Sequence, residues 1–479
     1  MITLRPYQNA AIASLRKNIK SGQKRQILCA PTGAGKTVIF SYMISRAVDR
    51  GRRCLILTHR SELLTQAGGS LRNFNMIPLE LKPGKKIPNL SSRLLIVGMA
   101  QTIKRRLSDP EYQSWLSGLD LVIIDEAHTQ DAELILPHFG PQTTIIGATA
   151  TPHREGSQVS LDGFYQDIVE VTTIPELVSA GFLAKPNTFG VKVDLTGIKT
   201  KAGDFDTEQM GQKFTETKLY KGVYENYMKI TPGKKGIIFA SNVESSKTLV
   251  EDFRSRGLPI EHIDGTTPTA ERRRVLKWFK ETPCALISNV GILNAGFDAP
   301  SIEVVILYRA TKSLPLFLQM CGRGSRTTET KTIFTILDFG NNIQRHGFWE
   351  ENRTWSLAKK PKTKEGIAPV KNCPSCTAML PVSIRTCEYC GHIFEPTEEE
   401  KESAQIVELQ QMSYQQIQDE IKTADFKRLE IIAKAKGYKP TWVYYQLRTR
   451  EDLERYQKWK GYSKKWVDYQ IEIREQKYA

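Results

Sequence analysis

Several absences limit what this 479-residue sequence can encode. No run of about 18 apolar residues occurs, so no segment has the composition of a membrane-spanning helix, and no membrane partner is expected. Low-complexity tracts are missing, and a composition of 40% hydrophobic and 25% charged residues is that of a soluble globular protein. Residues 1–6 lack the features of a secretory signal peptide. We therefore expect the protein to act in the reducing cytoplasm where it is made.

Acidic residues are in short supply. Aspartate and glutamate number 52 against 68 lysines and arginines, which gives a formal net charge of +16. A surplus of this size favours a polyanionic partner, because basic side chains neutralise phosphates and release their counterions. A well-solvated basic surface without such a partner would have the same composition. The charge therefore favours a nucleic-acid partner without requiring one.

Cysteine is also scarce, and half of the eight cysteines are clustered. The clustered ones form two C-x-x-C pairs, Cys373, Cys376, Cys387 and Cys390. This spacing is typical of structural Zn²⁺ held by four thiolates, with free thiols or an iron–sulfur centre as the alternatives. The others lie in apolar or motif segments and are expected to be buried thiols: Cys29, Cys54, Cys284 and Cys321.

Short apolar runs alternate with helical stretches in two parts of the chain. The first part has runs at 26–30, 54–57, 94–97, 121–124 and 144–147, and the second at 236–239, 284–287, 304–307 and 332–336. Such runs suit strands buried on both faces of a parallel sheet. The sequence therefore predicts an α/β fold with two tandem doubly wound domains. The expected segments are a first α/β domain (1–170), a connector with an entry helix (171–225), a second α/β domain (226–345), a linker (346–370), a cysteine module (371–396) and a helical tail (397–479).

The tail contains an internal repeat. Residues 436–447 return in similar form as 460–471, and each copy places a glycine where a helix ends and another begins. Aromatic residues recur in both copies: Tyr438, Trp442, Tyr445, Tyr462, Trp466 and Tyr469. We expect them to form the core of a small helical domain, although stacking on nucleic-acid bases is the alternative. Flanking lysines are the expected phosphate contacts: Lys439, Lys464 and Lys465.

A phosphate-binding loop is predicted at 30–37, which reads A-P-T-G-A-G-K-T between a predicted strand and a helix. In such loops the glycines, here Gly33 and Gly35, let backbone N–H groups close on the phosphates of a nucleotide. Lys36 is placed to reach the β- and γ-phosphates, and the adjoining Thr37 to hold Mg²⁺. Thr32 belongs to the same loop.

Two adjacent carboxylates follow a predicted strand, in the sequence L-V-I-I-D-E-A-H. The carboxyl end of a strand is where α/β sheets bind ligands. Asp125 can orient the Mg²⁺ shell, and Glu126 can act as the base for the attacking water. Together with the phosphate loop, this pair indicates a nucleotide hydrolase.

With these motifs in place, residues 1–345 resemble the superfamily 2 helicases with a DEAH box, built on two RecA-like domains. The resemblance includes the alanine that opens the phosphate loop, and it implies ATP and Mg²⁺ as cofactors. Further blocks follow in the family's order. Arg5 and Gln8 resemble the adenine-recognition block, 147–152 resembles motif III, and 289–300, with Gly296 and Asp298, resembles motif V. Gln319, Arg323 and Arg326 resemble motif VI, whose arginines stabilise the transferring phosphoryl group.

The same resemblance implies which residues contact nucleic acid. They are Thr58, His59 and Arg60 in motif Ia, Gln101 and Thr102 in motif Ib, Ser241 and Asn242 in motif IV, and Asn289 in motif V. The motor resembles compact phage or mobile-element helicases with a C-terminal zinc module, which would place it in the host cytoplasm if a phage encodes it.

The sequence thus favours an ATP-dependent DNA helicase or translocase that unwinds or remodels duplex, forked or branched DNA in replication, recombination or repair. An RNA helicase is the alternative within the enzymes, and RNA is the less expected partner. A non-catalytic nucleic-acid sensor or scaffold is a further alternative. So is the motor part of a restriction enzyme whose nuclease lies on another chain. The tail is a candidate site for a protein partner.

Overall fold

The first 170 residues form one parallel sheet with its helices. In the computed structural model its strands are β1 (Arg25–Cys29), β2 (Cys54–Thr58), β3 (Leu79–Leu81), β4 (Leu95–Met99), β5 (Leu121–Asp125), β6 (Thr144–Thr149) and β7 (Asp167–Glu170). Their order is β3-β4-β2-β5-β6-β1-β7, and each neighbouring pair is parallel. All five residues of β2 are buried, as expected for a strand covered on both faces. The loops that follow β1, β5 and β6 therefore meet at one edge of the sheet.

The structure describes most of the chain up to residue 394 and scattered parts of the tail. The described residues are 3–59, 68–84, 87, 89–129, 132–153, 160–190, 195, 197–201, 203–215, 217–294, 297–358, 370–381, 384–394, 426, 429–430, 443–444, 447, 450–463 and 465–478. They fall into two compact units, Met1–His392 and Ile393–Ala479. Among the helices described, none is both long and apolar enough to cross a membrane.

Helices cover both faces of the first sheet. They are α1 (Pro6–Lys20), α2 (Lys36–Val48), α3 (Ala100–Lys104), α4 (Pro110–Ser117) and α5 (Ile174–Ser179). One apolar core, on one face of the sheet, includes the helix residues Leu15 and Ile39. A second core, on the other face, includes the helix residue Trp115 and the alternate residues of the same strands. This alternation places the central strands between two buried layers.

A second parallel sheet follows. Its strands are β8 (Lys185–Gly190), β11 (Gly236–Ala240), β12 (Ile260–Ile263), β13 (Leu286–Asn289), β14 (Val304–Tyr308) and β15 (Ile333–Asp338), in the order β12-β13-β11-β14-β15-β8. A short antiparallel pair, β9 (Thr200–Lys201) and β10 (Asp204–Phe205), lies between β8 and β11 in the chain. The predicted fold class of two parallel-sheet α/β domains is confirmed.

The helices of the second domain are α6 (Thr207–Thr215), α7 (Thr217–Ile230), α8 (Val243–Ser255), α9 (Thr269–Glu281), α10 (Leu314–Cys321) and α11 (Asn342–His346). The stretch expected to be a connector supplies β8, α6 and most of α7 to this domain. β8 pairs in parallel with β15 along six residues, which makes it the edge strand.

The chain returns to the first domain after α11. Trp349 is buried, and its indole Nε1 donates to the carbonyl of Leu318 in α10 at 3.2 Å. Farther along, the Leu357 carbonyl accepts from the amides of Leu161 and Asp162 at 3.1 and 3.3 Å. Trp355 and Leu357 also pack against the first domain's core. The segment 349–357, expected to be part of a linker, therefore packs against both domains.

The cysteine module packs against the exposed edge of the second sheet. Its hairpin consists of β16 (Val370–Asn372) and β17 (Met379–Pro381). Ala378 forms an antiparallel bridge with Phe189 of β8, and Asn372 Nδ2 donates to the Gly190 carbonyl at 3.1 Å. Lys185 pairs with Glu388 at 2.5 Å. The module therefore covers a strand edge that would otherwise offer unpaired backbone groups.

The C-terminal unit contains α12 (Arg450–Lys460) and α13 (Lys465–Tyr478) among its described residues. Its core includes Leu453, Tyr456 and Val467, with Tyr462 and Trp466 packed against it. The expected aromatic core is found for these last two residues, whereas Tyr469 is 58% exposed. Their counterparts in the first repeat copy, and Lys439 and Lys464, lie outside the described residues, and Lys465 is exposed.

Candidate functional site

The phosphate loop connects β1 to α2. Gly33 and Gly35 have φ angles of +88° and +78°, a backbone region that favours glycine. A Cβ atom on Gly35 would lie 2.5 Å from Nε2 of Gln8, and one on Gly33 would lie 2.5 Å from Cδ2 of Leu183. Both positions therefore require glycine. Lys36 is the first residue of α2, so the loop amides and the positive end of the helix face the same space.

Three charged side chains meet beside this loop. Asp125 ends β5, and Glu126 follows it with a φ of +53°. The ammonium of Lys36 lies 3.1 Å from Glu126 Oε1 and 4.0 Å from Asp125 Oδ1. Each of the three side chains is no more than 15% exposed. The sheet thus brings together groups that are about 90 residues apart in sequence.

Burial and neighbouring charges set the protonation of this triplet. Burial raises the pKa of Asp125 to about 6, and the adjacent charge of Glu126 adds to this while Lys36 opposes it. Burial also acts to raise the pKa of Glu126, but Lys36 and His128 outweigh it and hold the pKa at about 2. Burial disfavours charged Lys36, yet the two carboxylates outweigh this and raise its pKa. Lys36 and Glu126 are therefore an ion pair beside the Asp125 carboxyl group, and a further cation would stabilise the ionised form of Asp125.

The donor set beside the loop suits Mg²⁺. Thr37 and Asp125 both line the same cavity, and they offer a hydroxyl and a carboxylate oxygen. Mg²⁺ prefers hard oxygen ligands and keeps several of its waters, so two protein ligands suffice. The raised pKa of Asp125 agrees with a site that a divalent cation would complete.

His128 connects the carboxylates to the end of β6. Its Nδ1 lies 3.4 Å from Glu126 Oε2 and 2.8 Å from the Thr149 hydroxyl oxygen. The Thr149 hydroxyl also accepts a hydrogen bond from the Thr151 amide at 3.1 Å. A change at Glu126 can therefore reach 149–151, the segment that resembles motif III, through a single side chain. Sequence reasoning did not single out His128 for this contact.

Residues near the N-terminus support the phosphate loop from outside. Gln8 is buried, and its Nε2 donates to the Ala34 carbonyl at 3.1 Å, while Oε1 accepts from the Arg5 amide at 2.9 Å. The Tyr7 hydroxyl also donates to Ala34 O, at 3.3 Å. The Arg5 guanidinium lies 3.9 Å above the ring of Phe182, which lines the cavity. Phe182 was missed from the sequence, since a lone aromatic residue in a loop gives no signal.

The second domain closes the other side of the site. A cavity of about 480 Å³ is lined by the phosphate loop, Asp125 and Glu126 from one domain and by Asp298, Gln319, Arg323 and Arg326 from the other. Arg326 pairs with Asp298. Arg323 donates to the carbonyls of Phe297 at 2.6 Å and Asn294 at 2.9 Å. The structure thus gathers most of the residues predicted for ATP chemistry around one interdomain cleft. Arg5 and Gln8 do not line this cavity, and Gly296 lies outside the described residues.

The residues expected to contact nucleic acid are placed differently. Ser241 donates its hydroxyl to the Tyr308 carbonyl at 3.1 Å, and Asn242 caps α8 by accepting from the Ser245 amide at 2.9 Å. Asn289 Nδ2 donates to the Ile238 carbonyl at 2.9 Å. These three side chains, together with Thr58 and Thr102, are buried. In this conformation Gln101 is exposed, His59 is half-buried, and Arg60 lies outside the described residues.

The four clustered cysteines converge at one point. All four Sγ atoms lie within 4.8 Å of one another, and Cys373–Cys390 and Cys376–Cys387 are each 3.6 Å apart. A tetrahedron with Zn–S bonds of about 2.3 Å has S···S edges of about 3.8 Å, so the distances fit. In both halves the residue after the C-x-x-C unit turns back with a positive φ, at Thr377 (62°) and Gly391 (74°).

The pKa shifts within the cluster run in opposite directions: burial and hydrogen bonds with the other thiols raise the pKa of Cys376 to about 12. A backbone hydrogen bond from His392, followed by bonds with the other thiols, lowers the pKa of Cys390 to about 7. Thiolates bind metal, so a low pKa favours occupancy. The remaining cysteines are correctly expected to be buried, except Cys284, which is exposed at a turn before β13. Burial raises the pKa of Cys29 and of Cys54 to about 12, which makes these thiols inert.

We expect one Zn²⁺ per chain in protein purified without added zinc, measured by elemental analysis. Cys376→Ser should remove most of this zinc and lower the melting temperature, because structural metal contributes folding free energy. Cys284→Ser removes an exposed thiol outside the cluster and should leave the zinc content unchanged. Metal-free wild-type protein, or the visible absorption of an iron–sulfur centre, would contradict a zinc site.

Family models match three parts of the chain. Residues 1–154 match the model described as "Type III restriction enzyme, res subunit", and 218–328 match "Helicase conserved C-terminal domain". Residues 371–396 match "Uncharacterised protein family UPF0547", which coincides with the cysteine module. The two larger matches contain the phosphate loop, the carboxylate pair and the motif VI arginines.

Comparisons with individual proteins, each over most of this chain, agree with the family models. A "51.5 kDa protein" of a Lactococcus phage is 32% identical over 76% of this chain and 77% of its own length. The Saccharomyces cerevisiae protein named "Putative ATP-dependent helicase IRC3" is 30% identical over 70% of this chain, which spans about half (51%) of that relative. Among solved structures, the ATP-dependent Type ISP restriction-modification enzyme LlaBIII bound to DNA superposes with a TM-score of 0.54 at 19% identity, over 71% of this chain and 28% of that one. The chain therefore belongs to the ATP-dependent helicases of superfamily 2, with a first domain of the restriction-enzyme type and a second domain of the helicase C-terminal type.

Proposed function

We propose that this protein is an ATP-driven translocase that unwinds or remodels duplex, forked or branched DNA. The cleft between the two domains carries the proposal, because the phosphate loop, both carboxylates and both motif VI arginines line one cavity. A site divided between two domains is complete only when they are held together, so ATP binding and hydrolysis can drive domain closure and release. DNA replication, recombination and repair are the processes that use such a motor.

Lys36 has a role in binding ATP and a second role in timing hydrolysis. Its ammonium pairs with Glu126 at 3.1 Å and lowers the pKa of that carboxyl. The β- and γ-phosphates of ATP carry more charge and compete for the same ammonium. As Lys36 turns to the phosphates, Glu126 becomes more basic and better able to accept a proton from water. Thr37 and Asp125 would hold Mg²⁺, which would supply positive charge to the phosphates.

The second domain supplies positive charge to the transferring phosphoryl group. We assign this role to Arg326, whose partner Asp298 is half-exposed and can release it. Arg323 is held by two backbone carbonyls and shapes the neighbouring segment, and Gln319 lines the same cavity. In the first domain, Gln8 supports the phosphate loop through its bond to the Ala34 carbonyl. Arg5, Tyr7 and Phe182 form a surface on which the adenine can stack.

DNA is favoured over RNA as the partner. The net charge of +16 suits either polyanion. The first domain matches a restriction-enzyme model, and restriction enzymes act on DNA. The solved structure of the relative LlaBIII is of that enzyme bound to DNA. The spellings of motifs I, II and VI also resemble the DNA-repair branch of the superfamily more than its RNA branch.

The parts outside the motor domains are assigned supporting roles. We infer that the module at 370–394 holds Zn²⁺ and stabilises the second domain through its contacts with β8. The C-terminal unit exposes Tyr469 and Lys465. We assign to it the selection of the DNA substrate or the binding of a protein partner. We also infer that the second domain begins earlier than the sequence indicates, since β8, α6 and α7 belong to it.

A second candidate function is the motor subunit of a restriction system. The match of residues 1–154 to a type III restriction model favours it. Such a subunit would need nuclease residues from another chain. Nuclease activity that appears only when a partner chain is added, and that requires ATP, would distinguish this candidate from a stand-alone translocase.

The ATPase response to nucleic acids tests the proposed function. We expect DNA to stimulate ATP hydrolysis by about 10-fold or more, and RNA of the same sequence and structure to stimulate it less, because nucleic acid held across both domains favours closure. The measurement is the steady-state ATPase rate with single-stranded, duplex, forked and four-way DNA and with matched RNA at one salt concentration. Stimulation by RNA alone would identify an RNA helicase instead.

A further inference from the structure

One buried lysine of the second domain lies outside every motif of the family. Lys331 lies two residues before the start of β15 and is 6% exposed. Its Nζ donates to the carbonyls of Pro300 at 2.6 Å, Ile302 at 2.6 Å and Gly324 at 2.9 Å. An ammonium group has three N–H donors, so all of them bind main-chain oxygens.

The three carbonyls belong to two segments that line or adjoin the ATP cleft. Pro300 and Ile302 follow Asp298, whereas Gly324 lies between Arg323 and Arg326. Lys331 therefore joins the segment at 297–302 to the loop that carries both arginines. Arg323 joins the same two segments from the other direction, through its bond to the Phe297 carbonyl.

Contacts other than those of Lys331 also hold the loop that carries Arg323 and Arg326. The Ser325 carbonyl accepts from the Ala184 amide at 2.7 Å, and Arg326 forms an antiparallel bridge with Leu183. A Cβ atom on Gly324 would lie 2.4 Å from Phe334, so the backbone there is in close contact with the domain core. Toward 297–302, Lys331 adds two bonds to main-chain oxygens, beside the Arg323 bond to the Phe297 carbonyl and the Arg326 pair with Asp298.

The position is costly for a charged group. Burial lowers the pKa of Lys331 to about 8, with Glu303 opposing this and Arg326 adding to it. Carbonyl oxygens carry only partial charge and offset only part of this cost, whereas an apolar side chain would leave the three oxygens without this donor. Lys331 therefore contributes to the geometry of the domain, since its Nζ atom alone fixes the positions of three backbone oxygens.

We propose that Lys331 is a positioning residue for ATP hydrolysis, which holds Arg323 and Arg326 in a fixed relation to the 297–302 segment and so to the nucleotide. The inference rests on the role proposed above for the two arginines. A small misplacement of a catalytic group can cost about 100-fold in rate, so a loosened loop should slow hydrolysis without weakening ATP binding.

Lys331→Met and a matched control, Lys235→Met, test this role. Lys235 is also a buried lysine of the second domain, 7% exposed, and its Nζ donates to the carbonyls of Phe279 and Lys280 at 2.8 and 3.1 Å, away from the cleft. Both variants should lower the melting temperature. Only Lys331→Met should lower kcat for DNA-stimulated ATP hydrolysis, by roughly 10- to 100-fold, with KM for ATP within about 2-fold of wild type.

Two further variants separate the possible failures. Lys331→Gln keeps two N–H donors on a shorter side chain, should give an intermediate kcat, and replaces Lys331→Met if that protein does not fold. Equal kcat losses in Lys331→Met and Lys235→Met, or a wild-type kcat in Lys331→Met, would overturn the inference. If Arg326→Ala slows hydrolysis and Lys331→Met does not, only this inference fails. If Arg326→Ala also hydrolyses ATP at the wild-type rate, the proposed arginine role fails with it.

Discussion

Glu126→Gln is expected to hydrolyse ATP at least about 100-fold more slowly than wild type while binding it at least as tightly. The amide has nearly the same shape but cannot accept a proton from water. It also removes one of two adjacent negative charges that face the phosphates, Asp125 being the other. The measurements are the steady-state ATPase rate with saturating DNA and the Kd for a fluorescent ATP analogue.

Glu170→Gln is the control for this substitution. Glu170 ends β7 at the same edge of the sheet, but it is exposed and lines a different cavity. Its rate should equal that of wild type. Hydrolysis by Glu126→Gln near the wild-type rate would remove Glu126 from its assigned role and would favour a base outside the carboxylate pair.

Arg326→Ala is also expected to show a large effect, a fall in kcat of about 1000-fold, because an arginine that stabilises the transferring phosphoryl group contributes about 10³ to 10⁵ in rate. Folding should be little affected, since the lost pair with Asp298 is partly exposed and pairs of this kind contribute at most about 1 kcal/mol. KM for ATP should change much less than kcat, because the arginine acts mainly on the transition state.

Arg274→Ala provides the matched arginine control. Arg274 lies on α9 of the same domain and pairs with Glu271 at 2.7 Å on the surface. It should retain wild-type kcat and stability. Equal losses in the two variants would mean that the Arg326 effect comes from general damage to the second domain.

The central strands and the ATP-binding motifs could be predicted from sequence for a physical reason. Strands buried on both faces, such as β2 and β14, are continuous apolar runs, and the phosphate loop needs glycine at two positions with positive φ. Strands of this kind point their carboxyl ends to one edge, so Lys36, Asp125 and Glu126 could be expected to meet.

Edge strands and tertiary contacts could not be predicted in the same way. β8 reads K-P-N-T-F-G, since it is only partly buried and has the cysteine module on one side. The segment 349–357 looked like a linker because a chain that crosses between domains has no periodic pattern. Cys284 is exposed because the chain turns there with a φ of +56°, which its apolar neighbours do not reveal.

The nucleic-acid contacts were the least accessible to sequence reasoning. A family resemblance identifies Ser241, Asn242 and Asn289 as motif residues, but the structure uses their polar atoms to bond the backbone. Short polar side chains at strand ends can serve either purpose, and only the three-dimensional surroundings distinguish them. Buried Lys331 shows the converse, a residue without a motif that joins two motif segments.

The central claim, that ATP hydrolysis moves this protein on DNA, is tested most directly by ATP-dependent displacement of a labelled third strand from a duplex, with an annealed-strand substrate measured in parallel. The account predicts that wild-type protein releases one or both labelled strands only when ATP is hydrolysed, and that Glu126→Gln releases neither. DNA-stimulated ATP hydrolysis without release of either strand would contradict the account and would identify an ATP-dependent DNA sensor or scaffold instead.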